Sequence, residues 1–112
     1  MERYGRKMID IEKLKKEITS RLLPLNPEKI IIFGSYAYGT PTANSDLDIC
    51  VVEKKYKSKI QEKAKIDFLL KDIRIAKDIL VPTSEEYNFY KKKINSVYND
   101  IDTRGEVLWT SS

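Results

Sequence analysis

Two aspartates, Asp46 and Asp48, stand one residue apart and lead into the apolar run Ile49-Cys50-Val51-Val52. Upstream, Gly34-Ser35 closes a second apolar run, Ile30-Ile31-Ile32-Phe33. Alternate residues of a strand share a face, so a strand here puts Asp46 and Asp48 on one side and Leu47, Ile49 and Val51 on the other. Two carboxylates about 4 Å apart repel by roughly 4 kcal/mol at an effective dielectric of about 20. A divalent cation reverses the sign of that interaction. Hard oxygen donors select Mg²⁺ or Mn²⁺, and Mg²⁺ is usually completed by substrate phosphates. Glycine lets backbone N–H groups approach an anion closely, and such turns form phosphate-cradling concavities. Metal-holding acids beside such a turn point to chemistry on a nucleoside triphosphate.

Each motif has a plainer reading. Gly34-Ser35 alone fits an ordinary turn, and Asn44-Ser45-Asp46 favours a loop end. Neither explains Asp48, which lies inside an apolar run. The chain contains no histidine and one cysteine, Cys50. Ser-His-Asp and Cys-His nucleophile systems, histidine metal sites and an intrachain disulfide are therefore excluded, and any general base is a carboxylate, lysine or tyrosine.

The acids need elements to hold them. Ile9, Ile11, Leu14, Ile18 and Leu22 recur at helical spacing and predict an amphipathic helix over 9–23, stopped by Pro24 and Pro27. Strands are predicted over 29–33 and 46–53, then a polar connector and a helix over about 58–71 with Ile60, Ala64, Phe68 and Leu69 or Leu70 inward. Residues 73–76 read equally as loop or strand, and 78–81 as a third strand. Thr83 or Ser84 caps a helix reaching about Asn99, with Glu86 closing a capping box from Thr83 and Tyr87, Tyr90, Ile94, Val97 and Tyr98 along its length. Gly105 turns the chain into a final strand over 106–109. Alternating helices and strands predict an α/β sheet. The link from Phe33 to Asp46 holds at most a short helical turn, so the sheet is expected to be mixed, with helices packed on one face.

Gly34-Ser35, ten intervening residues, then Asp46-Leu47-Asp48 resembles the signature of the DNA polymerase beta-type nucleotidyltransferase superfamily. The short chain is similar to its minimal members, which are often encoded beside HEPN-domain proteins and in several cases act as antitoxins. The resemblance runs from about Ile9 to Trp109. It implies the nucleotidyltransferase fold and transfer of a nucleoside monophosphate, AMP from ATP being the first choice, to an acceptor hydroxyl. Gly34 and Ser35 would contact the triphosphate, with Ser45 also assigned to nucleotide binding. Asp46 and Asp48 would hold Mg²⁺ or Mn²⁺, and Asp78 matches the third family carboxylate, which also activates the attacking hydroxyl. A HEPN-type partner protein is the first-choice acceptor. Many relatives carry arginine just before the second glycine of the motif, where this chain has Tyr38, and Lys77 or another lysine is a candidate substitute for that charge. Tyr36 and Tyr38 are candidates for stacking on a base or packing over the loop. The alternative function is a non-catalytic binding module that neutralises its partner by complex formation.

At 112 residues and 41% hydrophobic content, one domain over 1–112 with one core is expected. No stretch approaches a membrane span, and Met1 to Lys7 is charged without the apolar core of a signal peptide, so the cytoplasm is the expected compartment. Lysine and arginine total 21 against 17 acids, a net charge of +4. That mild excess fits a solvated surface, and nucleic-acid binding is not expected from it. A homo-oligomer stays open, with the last strand and Trp109 as a possible interface.

Overall fold

The structure, a computed structural model, describes residues 10–42 and 44–111. Helix α1 spans Ile11–Leu22, with Asp10 as its N-cap accepting from the Lys13 N–H at 3.0 Å. A 3₁₀ turn over Leu23–Leu25, with Pro24 near its start, ends it. Ile9, assigned to this helix by spacing, and the charged stretch Met1 to Lys7 lie outside the described residues.

Among the described residues four strands follow: β1 (Lys29–Phe33), β2 (Leu47–Val52), β3 (Lys77–Leu80) and β4 (Glu106–Thr110). Their spatial order is β3-β2-β1-β4. β1 runs antiparallel to β2 and β4, whereas β2 and β3 are parallel, so the sheet is mixed, as the short link between the first two strands requires. That link carries only α2, Ser35–Tyr38. The parallel pair is bridged by α3, Lys59–Leu69.

One sheet face presents Ile30, Ile32, Leu47, Ile49, Val51 and Ile79, packed with Leu14, Ile18 and Leu22 of α1 and Ile66 of α3. This is the larger layer; helices are expected on one face, and the structure carries them on the reverse as well. A smaller cluster lies on the reverse, where Ile31, Cys50 and Val52 meet Tyr87 and Ile101. Cys50 is fully buried, and burial pushes its thiol up to about 12, which makes it a small hydrophobe with an inert sulfur.

Two helix expectations need correction. The row 60-64-68 of α3 faces water: Ile60 is 82% and Phe68 64% exposed. The buried row is instead Glu62 and Ile66, continued past the helix end by Leu70 and Ile73. Both rows have helical spacing, but only the second continues into the segment leading to β3, which supplies two more large apolar side chains to the core. The expected single helix from Thr83 to Asn99 is two. The Thr83–Glu86 capping box starts α4 as expected, but α4 ends at Tyr90, and α5 spans Val97–Arg104. Side chains take the carbonyls that would have continued α4: Ser96 Oγ donates to the Tyr90 carbonyl, and Asn99 Nδ2 to that of Lys91 at 2.8 Å. Ser96 then caps α5 by accepting from the Asn99 N–H at 3.0 Å. Ile94, assigned to that helix, lies in the break and is 85% exposed.

The buried α3 row brings Glu62 against Glu53, just past β2, and both are buried. Glu53 Oε2 has no hydrogen-bond donor. Two ionised carboxylates only accept, so the pair bonds only when it holds a proton. Burial, the Glu62 bond and the Glu62 charge push Glu53 up to about 8, against a lowering by Lys65, whose ammonium is 3.6 Å from Glu62.

Candidate active site

The acid motif lies at the start of the parallel strand pair. Asp48 is the second residue of β2 and is in register with Asp78 of β3, so the two occupy one face of adjacent strands. Asp46 precedes β2 by one residue and is exposed, as is Asp78, while Asp48 is half-buried. On its other side Asp48 pairs with Phe33, the last residue of β1. The next residue, Gly34, has φ 71° and ψ −156°, a conformation that is essentially glycine-only. A Cβ there would overlap Asp48 Oδ2. The glycine thus serves the carboxylate as well as the turn. Asp48 and Asp78 lie on the face that carries Cys50 and Val52, beyond the edge of the smaller cluster under α4 and α5.

The electrostatics report the convergence. Burial raises the Asp48 carboxyl above its ordinary range, and the charges of Asp78 and then Asp46 raise it further. Asp48 therefore lies within reach of the charges of both other acids. Among the described residues, however, no group of three or more histidine, cysteine, aspartate or glutamate side chains stands close enough to enclose an ion as it is. The donor set, all carboxylate oxygen, has the chemistry that a hard divalent cation takes.

The turn residues divide in role. Ser35 opens α2 and is half-buried. The Ser45 hydroxyl turns back on its own loop: it accepts from the Thr42 N–H at 2.8 Å and shares a 3.2 Å contact with the Thr42 hydroxyl. Tyr36 is buried in the larger core cluster, so of the two candidate tyrosines it is the one that packs. Its hydroxyl is raised above its ordinary value by burial and then by the Asp46 charge. Tyr38 remains accessible at 39%.

Lys77 does not supply a charge to the acids. It neighbours Asp78 in a strand and so points to the opposite face. Its ammonium donates to the carbonyls of Ile73 at 2.6 Å and Ile75 at 3.0 Å, and burial lowers its pKa. A cation that does border the turn is Arg104, 4.5 Å from the Tyr38 ring centroid, while the Tyr38 hydroxyl donates to Asp100 at 3.3 Å. Tyr38 and Asp100 are 62 positions apart, and no local spacing signal connects them.

Several known proteins resemble this chain. A family model described as "Nucleotidyltransferase domain" matches residues 11–102. The Methanocaldococcus jannaschii protein MJ0141, assigned provisionally as a protein adenylyltransferase, is 32% identical over 90 residues, covering 80% of this chain and 85% of its own. Among solved structures, a toxin–antitoxin structure with AMP-PNP is similar with a TM-score of 0.65 and 24% identity, over 88% of this chain and 74% of that one. A tri-AMPylated Shewanella oneidensis HEPN toxin in complex with MNT antitoxin gives 0.61 and 19%, over 90% and 73%. At these identities the two structures speak for the fold.

Proposed function

The chain belongs to the nucleotidyltransferase domain family, and from that premise we propose that it moves a nucleoside monophosphate, AMP from ATP, to a hydroxyl on a HEPN-type partner protein. The observation that carries this reading is the setting of Asp48: flush against Gly34, in register with Asp78, and raised by burial and then by the charges of Asp78 and Asp46. A half-buried acid held among like charges is a site awaiting cations. The adenylyltransferase assignment of the archaeal relative and the AMPylated HEPN toxin of the Shewanella complex support the choice of nucleotide and acceptor.

The residues divide the work. Asp46, Asp48 and Asp78 would hold Mg²⁺ or Mn²⁺, which would supply positive charge at the α-phosphate and to the attacking and leaving oxygens. Gly34 and Ser35 hold the β- and γ-phosphates. Ser45 fixes the loop that delivers Asp46, through its bonds to Thr42. Asp78, exposed on the outer strand, takes the proton from the acceptor hydroxyl. The oxygen–phosphorus bond to the acceptor forms as that to pyrophosphate breaks. We read residues 1–112 as a single domain.

The test is incubation of the purified protein with Mg²⁺, labelled ATP and its coexpressed partner. Label on the partner, abolished by Asp46→Asn, is the expected result. An unlabelled partner, with Asp46→Asn matching wild type in every nucleotide assay, ends the catalytic reading. A second reading, neutralisation by binding alone, draws on Tyr38 standing where many relatives carry arginine. Protection of cells by Asp48→Asn as fully as by wild type would favour it.

A further inference from the structure

Helix α5 ends at the mouth of the acid face. Its Ile101 packs with Ile31 and Cys50, which puts the helix on the side of the sheet that bears Asp48. Its C-cap, Gly105, is held against β1, where a Cβ would stand 3.1 Å from the Ile32 carbonyl oxygen. Ile32 leads through Phe33 to Gly34, the neighbour of Asp48. Arg104 therefore sits at the acid end of the sheet, on the acid side.

There its guanidinium lies over the Tyr38 ring at 4.5 Å, and Nη1 is 3.4 Å from Asp100 Oδ1. The Tyr38 hydroxyl donates to the other Asp100 oxygen. Ring and carboxylate fix the plane of the guanidinium, yet its side chain is 61% exposed, so most of its five N–H donors remain open to solvent. An exposed pair of this kind adds little to stability. A polyphosphate entering beside three carboxylates needs a cation that is always charged and presents a planar fork to phosphate oxygens, which is what arginine offers. Lys77 faces away and spends its donors on carbonyls.

We propose that Arg104 is a nucleotide-binding residue that takes the β- and γ-phosphates of the incoming triphosphate, with Tyr38 as its platform and Asp100 as the counter-ion that holds it ready. The assignment rests on the transferase reading above. On nucleotide entry the guanidinium exchanges the weak Asp100 contact for phosphate oxygens while keeping the ring.

The experiment is a binding titration of the full chain with ATP and with AMP, each with Mg²⁺, for wild type, Arg104→Ala and Arg104→Lys, alongside thermal unfolding. Loss of a charge-assisted bond weakens ATP binding by roughly 10- to 100-fold in Arg104→Ala. AMP affinity and melting temperature change little, and lysine restores part of the loss. Equal ATP affinity in wild type and Arg104→Ala overturns the assignment of Arg104 alone. Equal losses for ATP and AMP also overturn it, because they indicate a merely structural role. A wild type that binds no ATP removes the transferase reading, and this assignment with it.

Discussion

Gly34 and the Asp48 carboxylate are in direct contact, with no room for a side chain between them. The glycine also holds φ 71° with ψ −156°. Gly34→Ala is therefore expected to destabilise the protein by roughly 1–3 kcal/mol through backbone strain. It also displaces Asp48, and misplacing a catalytic group by about 1 Å can slow transfer on the order of 10²-fold. Thermal unfolding and labelled-AMP transfer measure the two effects; a variant that melts and transfers like wild type would show that the contact is unimportant.

Without metal, ionised Asp48 works against the fold. Its carboxyl is raised in the native state, so the native state holds its proton more tightly than the unfolded chain does. That contribution is fully present below the unfolded value of 3.8 and is lost as pH rises through the raised native value. In EDTA at neutral pH, Asp48→Asn should melt a few degrees higher than wild type, given about 4–8 °C per kcal/mol for small domains. Mg²⁺ should raise the melting temperature of wild type and leave the variant where it was. The reverse order in EDTA would contradict the charge argument.

Glu53 and Glu62 give a separate pH dependence, far along β2 from the acids. Glu53, raised from 4.5 to about 8, stabilises the fold fully below 4.5 and loses that contribution as pH rises through about 8. Wild type should therefore lose stability between pH 5 and 9 more steeply than Glu53→Gln, whose neutral amide can donate to Glu62 at every pH. Urea midpoints across that range decide it, and parallel curves for the two proteins would refute the shared proton.

The two faces of α3 predict opposite outcomes for similar substitutions. Ile66 is fully buried and Ile60 is 82% exposed. Ile66→Ala should cost about 2–5 kcal/mol, and Ile60→Ala should stay within roughly 0.5 kcal/mol. Comparable losses at both sites would mean that α3 is rotated from the orientation described.

The sequence made the sheet legible because strand identity needs only two signals, apolar runs and alternation. β1 matches its expected span, and Asp48 stands among apolar residues where no turn would put it. The α3 face was not legible because Ile60, Ala64 and Phe68 form as regular a row as Ile66, Leu70 and Ile73. Only the tertiary path into β3 chooses between them. The break between α4 and α5 had a local marker in Ser96, but Ile94 and Val97 keep helical spacing across it. At the site, Asp46 and Asp48 announce themselves by spacing and Asp78 by resemblance. The Tyr38–Asp100–Arg104 cluster does not, since it exists only once α5 folds back to the end of β1.

Among the described residues β3 has a neighbour on one side only, and it is four residues long. The proposed third acid is thus carried by the margin of the sheet, whereas its two companions belong to or adjoin an interior strand. Unzipping of that margin would remove the proton acceptor and leave Asp48 seated against Gly34, silencing transfer without global unfolding. By the same connection, a ligand that gathers all three carboxylates staples the margin down, so substrate occupancy and slower amide exchange across 77–80 should rise together.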